Sequence, residues 1–148
     1  VKPRQACYTL ETMPWIFPAS PNDYLALLEA IDRPTVAVHL DPINMINSPV
    51  RYCKNGEFIR EAFAKLGPYI RSCHAKDITI REKLTVHLDE CRPGTGALDF
   101  DTYLRELAQL DADTPLMIEH IPLEEFPEAT RHIKAVAERN GLAFKELA

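Results

Sequence analysis

Four short apolar runs, residues 6–11, 35–41, 69–74 and 115–119, alternate with segments whose apolar positions recur at helical spacing. Runs of this length suit buried strands, and spacing at i, i+3, i+4 and i+7 suits helices packed on a sheet by one face. The first helical segment opens on Ser20 as N-cap, with Pro21 at its first position and Asp23 at the capping-box position. Its buried stripe is read as Tyr24, Leu27, Leu28 and Ile31. The second carries Phe58, Ile59, Ala62, Phe63 and Leu66 and is ended by Gly67. The third begins near Asp99 and turns Phe100, Tyr103, Leu104 and Leu107 inward, and the fourth covers residues 124–140 and closes at Gly141. Residues 42–55 and 78–98 read as long loops. The resulting pattern is four consecutive βα units with no internal boundary, which predicts an α/β fold with a parallel sheet and residues 1–148 as one domain.

Each apolar run ends in a side chain able to bind a metal: Glu11, Asp41, His74 and Glu119. In parallel α/β folds the carboxyl edge of the sheet is where active sites are built. Two glutamates, an aspartate and a histidine also form a ligand set suited to a hard or borderline divalent cation.

Four parallel strands with helices on one side make half of a TIM (β/α)8 barrel, and such a half leaves two strand edges and an inner face to be covered. The chain begins at Val1, and residues 1–4 read as a connection entering a strand. We therefore expect the carboxyl-terminal half of a longer barrel, covered by a missing amino-terminal half or by another chain, with a homo-oligomer as a further option. The competing fold is a small doubly wound domain of flavodoxin type. Its first loop usually cradles phosphate or carries acidic residues, whereas residues 14–18 here are Pro-Trp-Ile-Phe-Pro, better suited to lining a pocket.

Composition narrows the function classes. The 148 residues are 46% hydrophobic, enough for a core, and no uninterrupted apolar run approaches the length of a membrane span. Lys and Arg number 17 against 22 Asp and Glu, a net charge of −5, with the basic residues scattered among acidic ones. That pattern offers no stripe for a nucleic-acid backbone. Cys7, Cys53, Cys73 and Cys91 show no CxxC spacing and read as reduced packing residues of a cytoplasmic protein.

Five segments together carry a family resemblance: residues 9–14 (Thr-Leu-Glu-Thr-Met-Pro), 39–44 (His-Leu-Asp-Pro-Ile-Asn), 73–77 (Cys-His-Ala-Lys-Asp), 92–100 (Arg-Pro-Gly-Thr-Gly-Ala-Leu-Asp-Phe) and 116–120 (Leu-Met-Ile-Glu-His). In order and strand-end placement they resemble the carboxyl-terminal half of the xylose isomerase-like TIM barrels, the sugar phosphate isomerase/epimerase group. The resemblance implies a divalent metal (Mn, Mg, Co or Zn) held by Glu11, Asp41, His74 and Glu119. It also implies an acid and base role for Glu11 and Glu119. Many members carry His three residues after the strand-end Asp, where this chain has Asn44. Asparagine can hydrogen-bond a substrate hydroxyl but is a poor ligand or proton carrier.

The chemistry agrees with these residue types. Interconverting an aldose and a ketose, or inverting a carbon beside a carbonyl, removes a weakly acidic proton, and a metal lowers that barrier electrostatically. Two carboxylates on opposite sides of a carbohydrate can take and return the proton. Asn44, Lys76, Arg92 and Trp15 are the candidate substrate contacts; Lys76 reads equally as a solvated strand-end lysine, and Trp15 and Phe17 nearly equally as packing residues. His39 reads as a hydrogen-bonding neighbour of the ligands ahead of a direct ligand, Asp77 as a loop organiser, His87 as a surface residue by default, and His120 and His132 as structural or exposed. Gly94 and Gly96 give a tight turn and only weak evidence of phosphate binding. The leading reading is a metal-dependent sugar or sugar-phosphate isomerase/epimerase. The alternatives are an apurinic endonuclease-like metal hydrolase, which would need His in place of Asn44 and an Asp-x-His pair after His74, and a non-catalytic half barrel.

Overall fold

The computed structural model describes residues 6–145, so the connection expected at residues 1–4 lies outside the described residues. In chain order the elements are β1 (Tyr8–Glu11), α1 (Pro21–Ile31), β2 (Val36–Leu40), two short helices α2 (Pro42–Met45) and α3 (Pro49–Cys53), then α4 (Asn55–Leu66) and β3 (Ile70–Ala75). They continue as β4 (Asp77–Arg81), β5 (His87–Cys91), α5 (Phe100–Leu107), β6 (Leu116–Ile118) and α6 (Phe126–Arg139). Strands β1, β2, β3 and β6 form one sheet in that order, every neighbouring pair parallel. The four βα units therefore stand side by side as half of a TIM barrel. No helix among the described residues is long and apolar enough to cross a membrane.

The helices form one layer because their apolar stripes share one core with alternate strand residues. Val38, Leu40, Cys73 and Ala75 pack with Tyr24 and Leu28 of α1, Phe58 and Phe63 of α4, Tyr103 of α5 and Ile133 of α6. Period-2 alternation sends their strand neighbours to the opposite face. Helix α1 starts as its sequence predicts, with the Ser20 hydroxyl accepting from the Asp23 N–H at 3.2 Å. Ile31, expected to face inward, lies exposed in the last turn, where Asp32 ends the helix in a left-handed conformation.

Both long connections hold more structure than their sequence announced. Residues 42–55 include α2 and α3, capped by the side chains of Asp41 and Ser48. Residues 78–98, read as a loop, contain most of an antiparallel hairpin, β4 with β5, paired from Asp77↔Cys91 to Arg81↔His87. The strands of this hairpin are short and its apolar side chains few, so the alternation of Ile78, Ile80 and Leu88 gave little signal. It forms a separate two-stranded sheet and leaves the parallel sheet uninterrupted.

Candidate metal centre

Glu11 ends β1, Asp41 and Glu119 follow β2 and β6 by one residue, and His74 lies near the end of β3. Two buried tyrosines of the helix layer fix the adjoining backbone. Tyr24 donates its hydroxyl to the carbonyl of Leu10, beside Glu11, and Tyr103 donates to the carbonyl of His74 at 2.7 Å. Asp41 is held by its role as a helix cap: Oδ1 accepts from the N–H groups of Ile43 at 2.9 Å and Asn44 at 3.3 Å. The same short helix delivers Asn44, whose Nδ2 donates to Glu11 Oε1 at 3.1 Å.

The four side chains converge. One ligand atom from each of Glu11, Asp41, His74 and Glu119 lies within 4.8 Å of all the others. His74 Nδ1 stands 3.1 Å from Glu11 Oε1, 2.9 Å from Glu119 Oε1 and 3.5 Å from Asp41 Oδ2. His39 lies beside them, its ring edge-on to His74 with centroids 4.0 Å apart. Its Nδ1 is 2.5 Å from Ser72 Oγ rather than bonded to one of the four, its buried Nε2 has no partner, and with Glu11 and His74 it forms a second group whose ligand atoms lie within 4.8 Å of one another.

Lys76 is 2% exposed and sits inside this cluster, which the sequence left undecided. Its Nζ is 2.8 Å from Asp41 Oδ2, 2.5 Å from Glu119 Oε1 and 3.4 Å from Glu90 Oε2. The first two approaches lack hydrogen-bonding angles, so Asp41 Oδ2 and Glu119 Oε1 are buried without a hydrogen bond. The Lys76 ammonium gives both oxygens a positive charge but no well-angled hydrogen bond, and one ammonium leaves three carboxylates short of positive charge. Three carboxylates and one imidazole with two such oxygens fit a divalent ion of the Mg, Mn, Co or Zn group.

The electrostatics divide the carboxylates. Burial raises the pKa of Glu11, aided by Asp41 and Glu119 and opposed by His74 and Lys76. Burial would also raise that of Asp41, but contacts with His74 and Lys76 and the Asn44 N–H outweigh it, so Asp41 titrates below the usual carboxylate range. His74 is raised because the surrounding carboxylates overcome its burial. His39 is lowered by burial and by the charges on His74 and Lys76.

A cavity of about 460 Å³ opens beside the cluster, lined by Trp15, Asn44, Lys76, Leu88, Glu90 and His120 among others. Trp15, 78% exposed, lines this cavity. Arg92 is turned aside, its Nε 3.2 Å from Glu125 Oε2. Glu90 and His120 escaped sequence reasoning as neighbours of the site. The hairpin brings Glu90 Oε2 to 3.2 Å from His120 Nδ1, and His120 adopts a positive φ of 56° beside Glu119. Asp77 organises its loop as expected: its carboxylate accepts from the N–H groups of Ile78, Gly94, Gly96 and Leu98, each at 2.9 Å. The N–H groups of both glycines are thus directed to an internal carboxylate. A Cβ on Gly96 would meet Asp77 Oδ1 at 2.3 Å, which explains that glycine.

Fold and cluster together define a parallel βα half barrel with a candidate divalent-cation site at the carboxyl edge of its sheet. The family described as xylose isomerase-like TIM barrel matches residues 7–136, and the chain belongs to that family. No curated protein matches the sequence. Among solved structures, a xylose isomerase domain protein from Planctomyces limnophilus is 24% identical with a TM-score of 0.67, covering 93% of this chain and 46% of its own. A xylose isomerase-like TIM barrel protein from Mycobacterium smegmatis, in complex with magnesium, is 17% identical with a TM-score of 0.64, covering 89% and 43%. The probable 3-DHS dehydratase AsbF of Bacillus anthracis, involved in petrobactin synthesis, is 19% identical with a TM-score of 0.67, covering 90% and 50%. At these identities the likeness is one of fold. The chain spans half or less of each structure's length.

Proposed function

We propose that residues 1–148 are a half-barrel domain of a divalent-metal-dependent isomerase or epimerase acting on a carbohydrate, completed by a second half barrel. The observation that carries this reading is the convergence of Glu11, Asp41, His74 and Glu119 within 4.8 Å at one sheet edge. These four would hold the ion, which supplies electrostatic stabilisation of negative charge developing on substrate oxygens. Glu11 and Glu119 come from the two outermost strands of the sheet, so they can flank a substrate from two sides. In the proposed cycle one removes the proton next to the carbonyl and the other returns a proton to the neighbouring or the same carbon. Asn44 orients Glu11 through its amide, and Trp15 offers a ring face to the apolar side of a sugar. The free thiols of Cys7, Cys53, Cys73 and Cys91 suit a cytoplasmic setting.

A dehydratase of this fold, as one neighbour is described, is the second reading, since loss of water beside a carbonyl can begin with the same proton removal. Asn44 disfavours the endonuclease reading, because its amide donates to Glu11 where a further imidazole ligand would stand.

The test uses the complete protein with metal occupancy measured in each sample. Glu11→Gln and Glu119→Gln should each slow exchange of the substrate α-proton with solvent by about 100-fold or more, because an amide cannot accept the proton. Exchange at the wild-type rate in both variants, with metal bound, would remove the two-carboxylate mechanism.

A further inference from the structure

The ammonium of Lys76 and the candidate ion share ligands. Asp41 Oδ2 and Glu119 Oε1, which lie 2.8 and 2.5 Å from Lys76 Nζ, belong to two of the four residues of the cation cluster. The Lys76 side chain is 1% exposed, so its charge is shielded little by solvent. Glu11, Asp41 and Glu119 supply three negative charges. A divalent ion returns two of them, and Lys76 returns the third. Glu90 lies at the cavity rim, its side chain 29% exposed and facing His120 as well as Lys76, so its charge is better screened. His74 and His39 contribute no charge when neutral, as a ligand imidazole must be.

We propose that Lys76 is a positioning residue serving as the fixed third positive charge of the site, making it neutral with a divalent ion and biased against trivalent ions. The inference rests on the metal reading above. It gives Lys76 a role apart from substrate contact: holding Asp41 and Glu119 together and setting the charge of ion the site accepts.

The experiment measures Mn²⁺ and Tb³⁺ affinities of the complete protein by calorimetry for wild type, Lys76→Met, Lys76→Arg and Glu90→Gln. Coulomb energy scales with ionic charge, so if Lys76→Met tightens Mn²⁺ by about tenfold it should tighten Tb³⁺ by about thirtyfold. Lys76→Arg should keep the wild-type ratio of the two affinities. Glu90→Gln, which removes a screened rim charge, should move the ratio far less than Lys76→Met does. A ratio unchanged in Lys76→Met, or a common loss of both affinities, would overturn the proposal and reduce Lys76 to a packing ion pair. If Lys76→Met fails to fold, Lys76→Gln takes its place, and an unchanged ratio there overturns the proposal. Wild type that binds neither ion would sink the metal reading and this inference together; Mn²⁺ binding with a ratio indifferent to Lys76 would sink only the latter.

Discussion

Asp41 and Asp77 are both buried aspartates that follow a strand of the parallel sheet, and they are treated in opposite ways. Asp77 spends both oxygens on backbone N–H groups, four in all, drawn from its own strand and from the turn beyond the hairpin. Asp41 spends only Oδ1 in this way and turns Oδ2 toward His74, Lys76 and the other carboxylates. A buried carboxylate spent wholly on backbone N–H groups holds a fold together, whereas one that turns an oxygen to charged side chains can take part in a site. The distinction separates structural from functional acid more sharply than burial does, since both side chains are withdrawn from water.

The largest effect should come from the satisfied residue. Asp77→Ala strands several buried N–H groups and should cost at least about 3 kcal/mol of stability, read from urea unfolding. A loss of less than a third of that would show that the turn does not depend on this carboxylate. Asp41→Asn should invert the outcome. Its remaining carbonyl can still cap α2, but its amide meets the Lys76 ammonium where a carboxylate oxygen stood, so stability should fall by less than in Asp77→Ala while Mn²⁺ affinity falls by about 100-fold or more. An affinity that survives this change would dissolve the contrast between the two residues.

A third aspartate, Asp101, provides the lower limit. Arg139 donates to it from Nε at 3.0 Å and Asn140 from Nδ2 at 2.7 Å, and these partners hold its pKa at about 2, below the ordinary 3.8. Because the folded-state pKa is depressed, the contribution is complete above the unfolded pKa and is lost as pH falls from 3.8 toward 2. The group is solvent-facing, so its worth should be about a few tenths of a kcal/mol. Asp101→Asn should flatten that small part of the acid limb in a pH series of unfolding curves. A change exceeding that of Asp77→Ala would reverse the ranking by solvent access.

What the sequence made legible follows the same physics. The parallel sheet could be read because each strand is a buried apolar run, and the helices because their stripes are long and capped. Glu11, Asp41, His74 and Glu119 were visible as the polar endings of those runs, and the structure brings their ligand atoms within 4.8 Å of one another. Lys76 was ambiguous because spacing alone cannot tell a lysine aimed at carboxylates from one aimed at water. Glu90 was invisible as a neighbour of the cluster because a hairpin of short strands, with little alternation to announce it, carries it there. His120 was visible only as a structural or exposed histidine, since its left-handed backbone and its pairing with Glu90 arise from tertiary placement.

The Asp77 carboxylate also has an architectural meaning. By joining the first residues of the hairpin to Gly94, Gly96 and Leu98, it closes the base of an excursion that carries Leu88 and Glu90 over the cavity. The excursion is thus a cassette with its own clasp: it can lengthen, shorten or change its cavity-facing side chains while the strands beneath keep their register. In such an arrangement the side chains over the cavity can diversify while the strands that carry the candidate cation cluster stay fixed, and the clasp is the part that each new cassette must retain.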